Sequence, residues 1–302
     1  MPLVASPAVL RAVDILETLA ADPAEAMTVS EVARILDMPR ASCHTVLLAL
    51  AERGYAVRGE GDLRYRLGPA CIAVGDAARS INSALAVTGH EAEALARQTG
   101  TCVGVSVRTG DEIRVVEVFD HGAPFAVRGH VGQAIRLAPP FGTGLVAWAD
   151  DAGVDAWLDA AAVPLGEAAR ARYRAALAAI RTRGYSVTVA TPRNPELADA
   201  LATLADTPDA EEARRVRDDV VLELTHSEYL PTDLDADRPV RMLQCSAPVF
   251  DVLGNVVAKI MVFGPNYDLT PDEVARLGEL LKEATERATR HIGGKVRTLE
   301  PR

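Results

Sequence analysis

The sequence changes its hydrophobic period at Gly54, because apolar residues recur at helical spacing before this glycine and alternate like a strand after it. Before Gly54, three apolar stripes are separated by a loop containing Pro23 and by the break Asp37-Met38-Pro39. After it, residues 55–57 and 63–67 alternate on either side of a glycine-containing turn and predict a hairpin. Three helices followed by a hairpin predict a winged helix-turn-helix.

Each of the three predicted helices begins at a recognisable start signal. Ser6-Pro7 places a capping hydroxyl before a proline and predicts a helix over 7–21. Thr28 and Glu31 have the spacing of a reciprocal capping box, which predicts a short second helix. Pro39 opens the third helix, which we expect to end before Gly54.

The rest of the chain predicts an α+β domain around an antiparallel sheet. An alanine-rich helical segment over 69–98 leads into it, with a break expected near Thr88-Gly89 and an end at Gly100. Two further helices are predicted as an insertion over 192–238, and Thr270 caps a last helix. Strands are expected, in chain order, over 101–107, 112–119, 184–190, 240–250 and 255–263.

With 302 residues, the chain is long enough to bury two separate cores. We expect a winged helix-turn-helix domain over 1–68, a helical linker over 69–90, a second domain over 91–294 that contains the insertion 192–238, and a tail over 295–302.

The net charge limits how such a chain can meet nucleic acid. Its 42 acidic and 32 basic residues give −10, which repels phosphate at long range. Residues 38–66 are locally basic, since five arginines oppose three acidic residues there and leave a net charge of +2. Any DNA contact is therefore expected to be local.

The apolar runs are short. The stretch 137–149 is among the longest without charge and stops far below the roughly 20 residues that span a bilayer. At the N-terminus, Arg11 and Asp14 come before any apolar run long enough for a signal sequence. We expect a cytoplasmic chain with no membrane partner.

Cysteine and histidine spacing gives no metal site. The four cysteines lie at least 28 positions apart, and no HExxH motif, phosphate-binding glycine loop or GxSxG motif occurs. We therefore predict no metal, no cofactor and no enzymatic activity. A thiol-dependent enzyme stays as an alternative, with Cys245 or Cys102 as nucleophile beside His121 or His130.

Residue types suited to DNA contact gather at the start of the third helix and on the hairpin. A recognition helix presents its first turns to base edges, and a wing meets the phosphate backbone. Candidate DNA-binding residues are Thr28, Arg40, Ser42, His44, Thr45, Arg58, Arg64 and Arg66. A protein-interaction module with weakened DNA binding is the alternative, because charge alone does not separate the two.

The sequence resembles the IclR family of transcriptional regulators over most of its length. The resemblance is carried by residues 10–17, 28–33, 38–42, 47–55, 65–69, 95–100, 110–112, 141–144, 183–185, 247–251 and 264–265. It implies a winged helix-turn-helix followed by a GAF-like effector-binding domain. It also implies a homodimer or homotetramer that binds double-stranded operator DNA and responds to a small-molecule effector.

Several positions depart from the family pattern. Thr45 stands where the family usually has arginine, and Gln244 stands where it has a cysteine. Met261 and Phe263 replace paired serines that often face an acidic effector, so we expect a more apolar effector or none. Candidate effector-binding residues are Phe119, Leu137, Phe141, Gly142, Gln244, Ser246, Met261 and Phe263. The insertion is expected to cover the pocket or an oligomer face.

Overall fold

The fold is seen in a computed structural model that describes residues 6–21, 25–59, 61, 63–122, 130–191, 196, 200, 203, 211–226, 230–232 and 238–295. The chain divides into two compact units, with the main boundary between Asn82 and Ser83, and Glu211 also groups with the first unit. In the part of the chain that is described, no helix has the length and apolarity needed to cross a membrane.

The N-terminal unit is the predicted winged helix-turn-helix. Its elements are α1 Pro7–Ala21, α2 Val29–Ile35, α3 Arg40–Glu52, β1 Ala56–Arg58, β2 Tyr65–Leu67 and α4 Pro69–Ile81. The capping box is present, because the Thr28 hydroxyl accepts from the Glu31 N–H and the Glu31 carboxylate accepts from the Thr28 N–H. Ile15, Leu47 and Tyr65 are fully buried and tie the helices to the antiparallel β1–β2 hairpin.

The C-terminal unit is an α+β domain, as predicted. Its helices are α5 Ser83–Thr99, α6 Thr143–Val146, α7 Asp151–Asp159, α8 Glu167–Arg183, α9 Glu211–His226 and α10 Pro271–His291. Its strands are β3 Cys102–Thr109, β4 Glu112–Asp120, β5 Ala134–Arg136, β6 Ser186–Val189, β7 Met242–Phe250 and β8 Val256–Phe263. These strands form one sheet in the order β5-β4-β3-β8-β7-β6, and every neighbouring pair is antiparallel.

The sheet has one face in the main core and one face toward a cavity. On β8, Ile260 and Val262 are fully buried in the cluster formed with α5 and α10. Because side chains alternate along a strand, Lys259, Met261 and Phe263 point to the opposite face. That face carries the candidate effector site.

The connecting helix breaks at a different place from the one predicted. The break lies at Asn82, between α4 and α5, whereas Gly89 lies inside α5. A Cβ on Gly89 would come within 2.0 Å of the Glu117 Oε2 atom, so this glycine permits close helix–sheet packing. Glycine inside a helix was therefore misread as a break.

Part of the predicted insertion is described. Helix α9 places Val220 in full burial against Phe141, Val216 and Leu243. Of the first helix predicted for the insertion, after Pro195, only residues 196, 200 and 203 are described, and each is helical; the tail beyond Lys295 lies outside the described residues.

Candidate DNA-binding surface and effector cavity

The outer face of α3 presents the predicted DNA-contacting side chains. Cys43 and Leu47 point inward and are fully buried. On the opposite side of the helix, Arg40, His44 and Thr45 are exposed, while Ser42 is half-buried. The first two turns of α3 therefore offer a guanidinium, an imidazole and hydroxyls to solvent.

Two of the predicted contacts already have local hydrogen bonds. The Thr45 hydroxyl donates to the Ala41 carbonyl oxygen over 2.9 Å, within its own helix. The Thr28 hydroxyl caps α2 as described above. These bonds fix side-chain orientation and leave the Thr45 hydroxyl oxygen as an acceptor.

The three wing arginines differ in their surroundings. Arg66 is exposed, and the Arg58 guanidinium lies 5.8 Å from the centre of the Tyr65 ring. Arg64 instead donates to the Ala26 carbonyl oxygen over 2.7 Å and pairs with Glu31 over 3.3 Å. The Arg64 side chain thus fastens the hairpin to the start of α2.

The C-terminal unit contains a cavity of about 100 Å³ on the open face of the sheet. An apolar cavity of about 150 Å³ takes benzene, so this one suits a ligand of at most about six non-hydrogen atoms. Its described lining residues are Ile113, Val115, Gln133, Ile135, Pro140, Phe141, Gly142, Thr143, Gly144, Ser186, Thr188, Gln244, Ser246, Lys259, Met261 and Phe263.

Lys259 gives this cavity its electrostatic character, and the sequence analysis missed it. The residue is 5% exposed, and no carboxylate or hydrogen-bond acceptor contacts its ammonium group in the described residues. Burial lowers the pKa of Lys259 to about 8, because the charged form is poorly solvated there. A count of charges along β8 would have flagged it, since it is the strand's one ionisable residue.

A pair of serines lies beside Lys259. The Ser186 and Ser246 hydroxyl oxygens are 2.7 Å apart, on paired positions of β6 and β7. A Cβ on Gly144 would lie 2.5 Å from Ser246 Oγ, 3.3 Å from Ser186 Oγ and 3.6 Å from Lys259 Cδ. Only glycine lets the backbone approach this polar corner so closely.

Most of the predicted effector residues lie on the cavity wall. They are Phe141, Gly142, Gln244, Ser246, Met261 and Phe263. Gln244 faces the cavity while Cys245 is buried in the main core, as the alternation of β7 requires.

Phe119 is not among the described residues of the cavity wall. It packs against the main core on the other face of the sheet. Ile113 and Val115 face the cavity, and simple alternation would have put Phe119 there too. A register shift between Val105 and Ser106 inserts one extra residue in β4 and reverses the facing of every residue beyond it.

Leu137 also lies outside the cavity wall. It is 8% exposed and packs in a second apolar cluster with Ile113. A Cβ on Gly142 would come within 2.3 Å of the Leu137 Cδ1 atom, so the leucine lies directly behind the glycine that lines the cavity. Its role is packing behind the wall.

The two cysteines considered as nucleophiles, Cys245 and Cys102, are buried. Cys245 is fully buried, and burial raises its pKa to about 12, which keeps it a thiol. Cys102 is 1% exposed, whereas His121 and His130 are exposed to solvent. Within the described residues, no cluster of histidine, cysteine and acidic residues could hold a metal ion.

Comparison with known proteins identifies the type of the helix-turn-helix segment. The family model of the IclR helix-turn-helix domain matches residues 8–60. The HTH-type transcriptional regulator XynR of Escherichia coli (strain K12) is 25% identical over 193 residues, which are 62% of this chain and 75% of XynR. The helix-turn-helix part of this chain is therefore of the IclR type.

Solved structures agree with the IclR assignment at the level of the fold. An IclR transcriptional regulator from Alicyclobacillus acidocaldarius superposes with a TM-score of 0.68 at 20% identity, over 96% of this chain and all of that one (100%). An IclR homologue from Microbacterium hydrocarbonoxydans, complexed with 4-hydroxybenzoate, gives 0.63 at 18% identity, over 95% of this chain and 99% of that one. These structures show that this chain shares their two-part fold.

Proposed function

We propose that this IclR regulator binds its operator through the first turns of α3 and the wing, and that a small anion in the cavity of the C-terminal unit controls that binding. The effector part is carried by one observation: Lys259 is buried against a cavity and has no counter-charge among the described residues. The DNA part rests on the family and on the exposure of α3.

Arg40, His44 and Thr45 are the residues we assign to the major groove. Arginine pairs with the guanine edge through two hydrogen bonds, and histidine and threonine can add single ones. Arg66 and Arg58 are the exposed wing arginines, and we assign them to phosphates. Arg64 stays on the list as a predicted contact with an additional internal role.

The DNA assignment is tested on fragments selected from genomic DNA by the purified protein. Arg40→Ala is expected to weaken specific binding by about 1–3 kcal/mol. Arg66→Ala is expected to flatten the slope of log affinity against log salt by about 0.9 for each lost phosphate contact. Arg276→Ala, an exposed arginine of the C-terminal unit, is the control. Unchanged affinity and slope in both N-terminal variants would favour the protein-interaction module instead.

The effector is expected to be anionic because of what surrounds Lys259. An unpaired buried ammonium is costly, and a bound anion supplies the missing charge. Ser186, Ser246 and Thr143 add hydroxyl groups to the same wall. Met261 and Phe263 also line it, but the apolar effector expected from those two residues leaves the lysine without a partner.

Thermal shift with matched ligands tests the charge preference. Acetate and lactate are compared with acetamide and 1,2-propanediol, which have similar size and no charge. We expect stabilisation by the anions only, and loss of that preference in Lys259→Met. Equal shifts with charged and neutral ligands, or an unchanged preference in Lys259→Met, would contradict the proposal.

We also propose that the regulator binds DNA as a dimer. In the N-terminal unit, α1 exposes Val9 (61%) and Val13 (45%), and α4 exposes Ile72 (67%) and Val74 (54%). A second copy would cover this apolar surface and present two recognition helices to two half-sites. Sedimentation tests it: Val13→Glu should give monomers with reduced DNA affinity, whereas Leu253→Glu on a hairpin of the C-terminal unit should not. A monomeric wild type bound to its operator would overturn the dimer.

A further inference from the structure

We propose that Lys259 captures a small carboxylate that also carries an aldehyde or ketone, of the 2-oxo acid type, as a reversible imine. This inference rests on the anion site proposed above and names the chemistry of its ligand. In this proposal the ligand is bonded covalently to Lys259, whereas a purely ionic contact would require only that the ligand be an anion.

The first support is the identity of the buried cation. The chain contains 29 arginines and only three lysines, Lys259, Lys282 and Lys295. Lys282 pairs with Glu279 and Lys295 is exposed, so both have the surroundings of surface cations. Of the three lysines, only Lys259 is buried and has no counter-ion among the described residues. An arginine could hold an anion there, but only a lysine can lose its proton and act as a nucleophile.

The second support is the state of the amine. Only the neutral amine attacks a carbonyl, and burial of Lys259 with no counter-ion among the described residues favours that form. With a pKa of about 8, roughly a quarter of Lys259 is neutral at pH 7.5, against roughly one part in a thousand for an ordinary lysine. Lys259 is also the one ionisable group among the described lining residues, so no neighbouring carboxylate there restores its proton.

The third support is a pair of hydroxyl groups in the same cavity wall, close to the Lys259 stem. The Ser186 and Ser246 hydroxyls are hydrogen-bonded to each other and share with the Lys259 stem the corner next to Gly144. Hydroxyls both donate and accept, so the pair can carry a proton to and from the carbonyl oxygen. Neither hydroxyl needs to ionise for this role.

The reaction balances without an oxidant or reductant. The lone pair of the neutral Lys259 Nζ attacks the carbonyl carbon, the C–N bond forms, and the π electrons of the C=O bond move to oxygen. One Nζ proton then passes to that oxygen and gives a neutral carbinolamine. A proton from solvent, equivalent to the one that the Lys259 ammonium released, joins the hydroxyl group, the C–O bond breaks, water leaves, and a protonated imine remains. Because the imine keeps the positive charge, the carboxylate of the same ligand still neutralises the cavity. Hydrolysis reverses every step and releases the ligand.

Reductive trapping of the full-length protein tests the proposal. Pyruvate is the probe, and lactate is the control with the same charge and nearly the same size but no carbonyl. With cyanoborohydride, pyruvate is expected to leave a reduced adduct on the peptide that contains Lys259, at a rate at least tenfold above Lys282 and Lys295. Intact-mass and peptide spectra read this directly, since so few lysines compete.

Two variants separate the covalent step from the ionic site. Lys259→Met should lose both the adduct and the stabilisation by lactate. Lys259→Arg keeps the charge without a nucleophilic amine, so it should keep the preference for anions and lose the adduct. Stabilisation by lactate and pyruvate with no Lys259 adduct would overturn the imine and leave the anion site standing. No response to any anion would overturn the anion site itself.

Discussion

Replacing Lys259 by methionine should make the protein more stable in the absence of effector. Burial lowers the pKa of Lys259 from 10.5 to about 8. At 1.36 kcal/mol for each pH unit, the folded state disfavours the ammonium form by about 3 kcal/mol. Methionine keeps an unbranched apolar stem of similar length and carries no charge. We therefore expect Lys259→Met to gain up to about 3 kcal/mol at pH 7, or roughly 5–10 °C in Tm.

The stability difference between Lys259→Met and the wild type should depend on pH. The folded pKa lies below the unfolded one, so the penalty is fully present below pH 8 and is relieved as the pH rises toward 10.5. The stability advantage of Lys259→Met should therefore shrink over that interval. Other groups titrate alike in both proteins and cancel in the difference.

Thermal and urea unfolding from pH 7 to pH 10.5 provide the measurement. Lys295→Met removes an exposed lysine and should change stability by no more than about 0.5 kcal/mol. A Lys259→Met protein that is no more stable than wild type at pH 7, with a difference that does not vary with pH, would refute the claim that this cation is buried without compensation.

Three further outcomes follow from other parts of the chain. Arg64→Ala should lower the stability of the N-terminal unit by about 1 kcal/mol through loss of the Ala26 and Glu31 contacts, seen as an earlier unfolding transition; equal stability would return Arg64 to a purely DNA-contacting role. Gly278→Ala should cost about 2–3 kcal/mol in urea unfolding, because its Cβ would lie 2.2 Å from the Tyr185 ring, and a neutral result would show that α10 shifts freely. Cys245 should resist alkylation by iodoacetamide in the native protein at pH 8, and rapid labelling would contradict its burial.

The N-terminal unit was predictable because its signals are local. The capping box at Thr28 and the change of period at Gly54 each depend on residues only a few positions apart. The role of Arg64 was not predictable in this way, because its partner Glu31 lies 33 positions away in sequence. An arginine on a wing has the same local pattern whether it meets a phosphate or a carboxylate.

The effector cavity was predictable only as far as strand alternation holds. Gln244 and Ser246 are two positions apart on β7, so alternation along the strand predicts that they face the same side, and both line the cavity. Phe119 lies on the other face of the sheet because a bulge in the pairing of β3 with β4 shifts the alternation, and no residue type in the sequence predicts that bulge. Lys259 could not be singled out from the sequence, because its burial and its surroundings depend on how the strands and helices pack.

Phe141 links the cavity to helix α9. Its side chain lines the cavity and also packs against Val220 of the inserted helix. Binding at two coupled sites is reciprocal. If a ligand in the cavity changes the affinity of α9 for a macromolecule by some factor, that macromolecule changes the affinity of the cavity for the ligand by the same factor. A partner that binds the inserted helix would then change the affinity of the cavity for its ligand through Phe141.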